Sequence, residues 1–254
     1  MSAPLLEVRG IEKRYDSVVA LRGASFTVHE REVVALVGDN GAGKSTLIKA
    51  IAGTIQPDAG EIWFDGRLCS IDSPRAAREL GIEVVHQDLA LAPDLDPASN
   101  LYLGRELARP GLLGRLGFLD TREMEAQSTY VFKDLGVKIQ NLKTPVATLS
   151  GGQQQATAVA RAVNWAGRLV LLDEPTAALG VEQTGNVLDL IRRVRDNGLS
   201  VVLISHNLPE VFEVSDRIEV LRMGQRVARF ATKQCSLEDV VGAMTGALVH
   251  HDAS

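Results

Sequence analysis

The sequence predicts an α/β fold whose core is a mostly parallel sheet, interrupted by a mainly helical insert. Three observations predict it. Continuous apolar runs at residues 32–37, 168–172 and 200–204 read as buried strands. Helical apolar stripes alternate with these runs. From about residue 89 to 149 the texture changes, and Pro93, Pro97, Pro110 and several glycines break up short helical pieces.

The elements follow in order. Residues 32–37, Glu-Val-Val-Ala-Leu-Val, form a strand that runs directly into a glycine loop. A helix is expected over residues 45–52, stopped by Gly53. Strands at 61–64 and 67–71 flank Asp65-Gly66, a strong hairpin-turn signal. Ser73-Pro74 starts a short helix as N-cap and first-turn proline, and Gly81 ends it. Residues 82–86 are the next strand. Within the insert, Asp120-Thr121-Arg122-Glu123 resembles a capping-box start for a helix running to about Leu135, with Gly136 after it. A helical run over 154–165 follows Leu149-Ser150-Gly151-Gly152-Gln153. The strand at 168–172 ends in Asp173-Glu174. Val187, Leu190, Ile191 and Val194 make a helical stripe closed by Gly198, and the strand at 200–204 comes next. The expected organisation is one domain. Its core takes in about residues 1–88 and 154–230, its helical subdomain about 89–153, and a short C-terminal helix and tail about 231–254.

Composition narrows the function classes. At 254 residues the chain can bury a sizeable core, and 45% apolar with 23% charged residues is ordinary for a globular protein. The net charge of −5 argues against a general nucleic-acid-binding surface, so no nucleic-acid partner is expected. No apolar run approaches the roughly 18 residues of a spanning helix. The N-terminus lacks a signal peptide's basic start and long apolar segment, so a membrane role is expected only through a partner. Cys69 and Cys235 lie far apart without metal-ligand spacing, which suits free thiols in a reducing compartment. The terminal pair His250-His251 is read as part of a frayed tail rather than a metal site.

Several residue groups carry chemistry. Gly38-Asp39-Asn40-Gly41-Ala42-Gly43-Lys44-Ser45, followed by Thr46, matches G-x-x-x-x-G-K-S/T in full, between a strand and a helix. Backbone N–H groups there cradle phosphates, Lys44 reaches the β and γ oxygens, and Ser45 ligates Mg²⁺. Asp173 ends a buried strand, where an acid is placed to hold Mg²⁺ through water. Glu174 is the candidate general base that polarises a water for attack on the γ-phosphate. His206, just past the strand at 200–204, sits where parallel sheets place ligands and has the chemistry to touch a γ-phosphate oxygen. Gln87, after the strand at 82–86, is able to touch both metal and water. Tyr15 is a candidate for stacking on adenine, with core packing as the alternative. Ser150, Gly151, Gly152 and Gln153 combine a hydroxyl, unhindered N–H groups and a helix N-terminus, which makes a second anion site.

In this order the motifs resemble the ATP-binding cassette (ABC) family across nearly the whole chain. Tyr15 resembles its A-loop aromatic, residues 38–45 its Walker A loop, and Gln87 its Q-loop. Residues 149–153, LSGGQ, resemble its signature, residues 169–174 its Walker B segment with the adjacent glutamate, and His206 its switch histidine. His86-Gln87-Asp88-Leu89-Ala90-Leu91 and Glu174-Pro175-Thr176-Ala177-Ala178-Leu179-Gly180 are similar to the ribose, xylose and fructose type of carbohydrate importer, in particular to its shorter, single-cassette members. The resemblance implies a P-loop NTPase fold with a mostly parallel core sheet, an antiparallel β subdomain and a helical insert. It implies an ATPase using ATP and Mg²⁺, dimerised with a second cassette around nucleotide. It implies membrane-embedded permease subunits and, indirectly, an extracytoplasmic substrate-binding protein. The chain would then sit peripherally at the cytoplasmic face of the inner membrane and power import of a monosaccharide. The alternatives are another transported substrate, a non-transport ABC ATPase, or a regulatory nucleotide-binding module. One position departs from the pattern: the family's D-loop usually ends in Asp, and Gly180 stands there. Gly180 has no side chain to reach a partner's Walker A loop, which puts communication between the two ATP sites in doubt.

Overall fold

A computed structural model describes residues 3–139 and 141–247, so the His250-His251 reading lies outside the described residues. Strands β1 (Leu6–Tyr15) and β2 (Val18–Val28) pair antiparallel around a tight turn. β3 (Val33–Val37) follows, then helix α1 (Lys44–Ile51). β4 (Ala59–Phe64) and β5 (Arg67–Cys69) make the expected hairpin, with Asp65 at φ 51° and Gly66 at φ 72° in its turn. Two consecutive left-handed residues match the right-handed twist of the strands, which is why Asp-Gly belongs there. α2 (Pro74–Glu79) starts on the Ser73 cap, whose hydroxyl accepts from Ala76 N, and β6 (Ile82–Val85) follows.

The insert contains α3 (Pro97–Leu101), α4 (Leu112–Arg115) and α5 (Thr121–Asp134). Only half of the expected capping box forms at α5. Asp120 accepts from Glu123 N at 3.2 Å, but the Glu123 carboxylate is taken by Gln127 Nε2 at 2.7 Å. α6 (Gly151–Trp165) then returns the chain to β7 (Leu169–Asp173). This corrects the sequence reading, which began α6 at 154: Gly151, Gly152 and Gln153 are its first turn, because Ser150 is the N-cap. α7 (Val181–Asp196), β8 (Ser200–Ile204), α8 (Leu208–Val214), β9 (Arg217–Arg222), β10 (Gln225–Ala231) and α9 (Leu237–Thr245) complete the described chain.

The larger sheet has the order β10-β9-β3-β8-β7-β6, and the smaller one β2-β1-β4-β5. In the larger sheet β6, β7, β8, β3 and β9 run parallel, and only β10 is antiparallel. Strand alternation divides the core. Val34, Leu36, Leu169, Leu171, Val202 and Ile204 face the smaller sheet and α1. Val170, Leu172, Val201 and Leu203 face the other way, onto α6, α7 and the insert. Because both faces are covered, these strands read as unbroken apolar runs. The parallel strands end along one edge, and the loops leaving that edge carry the candidate site.

Candidate functional site

The glycine loop is wedged between β3 and α1. Gly38 has φ 152°, and a Cβ there would lie 2.1 Å from the Leu221 carbonyl oxygen. Gly43 has φ 103°, and a Cβ there would lie 2.7 Å from the Ala20 carbonyl oxygen. Glycine is therefore required at both positions by backbone angle and by space. The β9–β10 turn clamps the loop from above. Gly224 N donates to Ala42 O at 3.0 Å, and Arg22 N donates to Gly224 O at 2.8 Å. The sequence reading missed this clamp. Its only local signal is the Met223-Gly224 turn between two strands.

Lys44 is buried, and its ammonium donates to Gly38 O at 2.6 Å and Asp39 O at 3.0 Å. Burial lowers its pKa, while Glu174, Asp39 and Asp173 pull it back up. Gly43 caps α1 without a side-chain hydrogen bond. The first N–H groups of α1 thus remain available to an anion. Ser45 is exposed and Thr46 half-buried at this end. Asp39, Asn40 and Gly41 form the exposed rim, and Ala42 is buried beneath it. Tyr15 ends β1 with an exposed ring, and Lys13 Nζ lies 5.7 Å from the ring centroid. Tyr15 pairs with Val18, two residues before the Ala20 that touches Gly43.

Two more strands bring acids and a histidine to the same edge. Asp173 ends β7 and pairs with Ile204 of β8. Burial raises its carboxyl pKa first, and the adjacent Glu174 raises it further; His86, Lys44 and Lys49 oppose. Glu174 Oε1 lies 3.2 Å from His206 Nδ1, across the gap between the β7 and β8 exits. The chain after β7 is under backbone tension, with Glu174 at φ 51° and Ala178 at φ 63°. Each such residue costs on the order of 1 kcal/mol. Three backbone hydrogen bonds hold the turn: Glu174 N to Ile204 O at 3.0 Å, Ala177 N to Glu174 O at 3.2 Å, and Leu179 N to Thr176 O at 3.2 Å. At about 1 kcal/mol net each, they are enough to offset the strain.

Gly180 is the N-cap of α7 with φ −74° and ψ 166°, an angle pair any residue adopts. A Cβ there would meet nothing within 4 Å. Neither backbone angle nor space therefore demands glycine at this position.

Residues 149–153 stand apart from this cluster. Ser150 Oγ accepts from Gln153 N at 3.3 Å, and Gln153 Oε1 accepts from Ser150 N at 3.1 Å, a reciprocal capping box. Gln154 N bonds to Ser150 O. That leaves the N–H groups of Gly151 and Gly152 as the unspent donors of the first turn. Gly152 packs toward Gln183 and Gly151 toward Leu179, so the loop rests on the segment around Gly180. Among the described residues, no hydrogen bond joins residues 150–153 to residues 38–45.

Gln87 is exposed and lines a cavity of about 450 Å³ with Leu89, Pro93, Val146 and Gln154. Arg161, on α6, grips this segment by donating to Leu89 O and Ala90 O, each at 2.8 Å. Ala90 sits at φ 49°. Sequence reasoning did not find Arg161, because nothing local marks a helix arginine that reaches back some 70 residues.

The structure thus brings Lys44, Asp173, Glu174 and His206 to one edge, places Gln87 at the junction with the insert, and holds residues 150–153 separately on the surface. A glycine loop between strand and helix, beside an acid-ended parallel strand, defines a P-loop nucleotide-binding α/β protein. The ABC transporter family model matches residues 21–177. The chain is 49% identical over 246 residues to the fructose import ATP-binding protein FrcA of Rhizobium meliloti, with 96% of this chain and 95% of that protein aligned. It is 46% identical over 244 residues to the ribose import ATP-binding protein RbsA 2 of Burkholderia pseudomallei, with 96% of this chain and 47% of that protein aligned. The chain therefore spans about half the length of the ribose relative. In fold it is similar to the ADP conformation of MJ1267, an ATP-binding cassette of an ABC transporter, with TM-score 0.82 and 23% identity over 98% of this chain and 97% of that one. The chain belongs to the ABC transporter family, and it is an ATP-binding ATPase of that family.

Proposed function

We propose that this chain hydrolyses ATP to power import of a monosaccharide through membrane-embedded permease subunits, with fructose the first sugar to test. The observation that carries the hydrolytic part is Glu174 Oε1 at 3.2 Å from His206 Nδ1, beside Asp173 and Lys44 at one strand edge. The sugar class rests on the fructose-import relative, which matches along 95% of its length.

Each residue then has a role. N–H groups of residues 38–45 and Thr46 bind the phosphates, and Lys44 leaves its loop carbonyls for the β and γ oxygens. Glu174 accepts a proton from the attacking water. His206 meets Glu174 through one ring nitrogen and faces the γ-phosphate with the other. Tyr15 stacks on the adenine. The donor set suits Mg²⁺: the Ser45 hydroxyl, the Gln87 amide and the Asp173 carboxyl are all hard oxygen ligands. Among the described residues there is no cluster of three or more His, Cys, Asp or Glu able to hold a metal by itself. When bound, Mg²⁺ supplies neutralisation of charge developing on the phosphates.

Two copies face head to tail in this reading, and each ATP is closed in by Ser150, Gly151, Gly152 and Gln153 of the other copy. The unspent N–H groups at the start of α6 support this, because they point an anion site at a surface. The domain division also belongs to the proposal: a catalytic core of about residues 1–88 and 154–230, and a helical arm of about 89–153 that docks the permease near Gln87. An extracytoplasmic binding protein delivers the sugar. In this reading the permease holds the chain at the cytoplasmic face; no helix among the described residues is long and apolar enough to cross a membrane.

The test is sugar uptake by vesicles holding the permease, with this chain and ATP-Mg²⁺ inside and the extracytoplasmic binding protein outside. Labelled fructose, ribose and xylose are offered in turn. Uptake of one sugar with wild-type chain and none with Glu174→Gln supports the proposal. ATP hydrolysis without uptake of any of them would overturn the sugar assignment.

A further inference from the structure

One carboxylate ties together the two loops that carry Glu174 and His206. Glu210, in the first turn of α8, accepts from Thr176 Oγ1 through Oε2. It accepts from Asn207 Nδ2 through Oε1 at 2.7 Å. Thr176 is buried and lies two residues after Glu174; Asn207 follows His206 directly.

Two features separate this bridge from ordinary helix capping. Asn207 is the N-cap of α8 and Glu210 is its third helical residue, the arrangement in which reciprocal side-chain-to-backbone caps normally form. Yet the Asn207 side chain caps no backbone N–H. The Asn207 amide is turned instead toward Glu210, and the Glu210 carboxylate toward both Asn207 and Thr176. In addition, Thr176 sits between Glu174 and Ala178, the two residues with left-handed backbone. Backbone hydrogen bonds hold this turn within itself, and the Thr176 hydroxyl is the group that ties it to Glu210 on α8.

We propose that Glu210 is a positioning residue for ATP hydrolysis: through Thr176 and Asn207 it fixes the spacing of Glu174 and His206. The inference rests on the reading of Glu174 as the base. It also supplies a connection that does not need a side chain at position 180. The turn from Thr176 to Gly180 abuts Gly151 through Leu179, and the Thr176–Glu210–Asn207 hydrogen bonds link it to the His206 loop.

The test compares Thr176→Val, Thr176→Ser and Glu210→Leu in the full chain. For each, kcat, KM, ATP affinity and thermal midpoint are measured. Val keeps the shape of Thr and lacks the hydroxyl, Ser keeps the hydroxyl, and Leu fills space similar to Glu but accepts no hydrogen bond from either donor. Thr176→Val and Glu210→Leu are expected to lower kcat by roughly tenfold to a hundredfold, with ATP affinity within about twofold of wild type. Thr176→Ser should recover most of the rate. In a Glu174→Gln background, Thr176→Val should lower the remaining rate no further, because the residues act as a unit. Wild-type kcat in Thr176→Val, equal damage from Ser and Val, or a rate loss matched by a loss of ATP affinity would each overturn the proposal. Wild-type hydrolysis by Glu174→Gln alone would instead sink the base assignment, which the single Thr176 variants do not test.

Discussion

The two anion-seeking loops of this molecule are built in opposite ways. Residues 38–43 are set into the core, closed in by Leu221 and Ala20 and clamped by the Gly224 turn, with Lys44 buried among them. Residues 149–153 stand on the surface, ordered chiefly by the capping box of their own helix. The first loop is pre-organised by tertiary packing. The second is pre-organised by helix chemistry and then offered outward. A rigid buried half and an exposed half suit the proposed site between two copies, in which the nucleotide would stay with the buried half and only the contact with the exposed half would be broken.

Glu174→Gln breaks the comparison most sharply, because it removes chemistry from the buried side and leaves both loops intact. Its kcat should fall by about 10²–10⁴-fold with ATP still bound. Ribose-labelled fluorescent ATP checks binding and phosphate release checks turnover; rapid hydrolysis would remove Glu174 from the base role. Ser150→Arg attacks only the exposed half. Hydrolysis should drop by about a hundredfold or more while each monomer binds ATP normally. Unchanged hydrolysis in this variant would mean that residues 149–153 do not complete a partner's site.

A third prediction weighs the buried half against its own stability. Folding raises the Asp173 pKa, so the folded state holds that proton more tightly than the unfolded chain does. Its contribution therefore opposes folding increasingly as pH rises through the ordinary carboxyl value, and it is fully unfavourable above the raised value. Without nucleotide or Mg²⁺, Asp173→Asn should melt at a higher temperature than wild type at pH 7, and the gain should vanish at about pH 3. Calorimetry at the two pH values decides it; a lower midpoint at pH 7 would contradict the burial argument. The smallest effect belongs to the segment between the halves. Gly180→Asp should fold normally, because the backbone angles and the space are permissive, and should gain a few tenths of a kcal/mol as a better N-cap for α7. A substantial drop in melting temperature would show that glycine is required there after all.

Much of this was legible in the residues themselves. The Gly38 to Ser45 pattern fixes its own strand and helix, Asp65-Gly66 forms its own turn, and Ser73 caps its own helix, because each depends on neighbours within a few positions. The start of α6 was misread by three residues for a related reason. Glycines argue against a helix by propensity, and the Ser150–Gln153 capping box outweighs them. The Glu123 box went the other way, because Gln127 competed for the carboxylate.

Residue order alone thus decided the loops and the chemical groups they carry. Tertiary structure decided which of those groups meet. Arg161 holding Ala90, Gly224 clamping Ala42, and Glu210 joining Thr176 to Asn207 all depend on the strand order β9-β3-β8-β7-β6. The physical reason is range. Capping and turn formation are settled by the local backbone. A contact between residues tens of positions apart exists only after burial of both sheet faces has chosen which strands lie side by side.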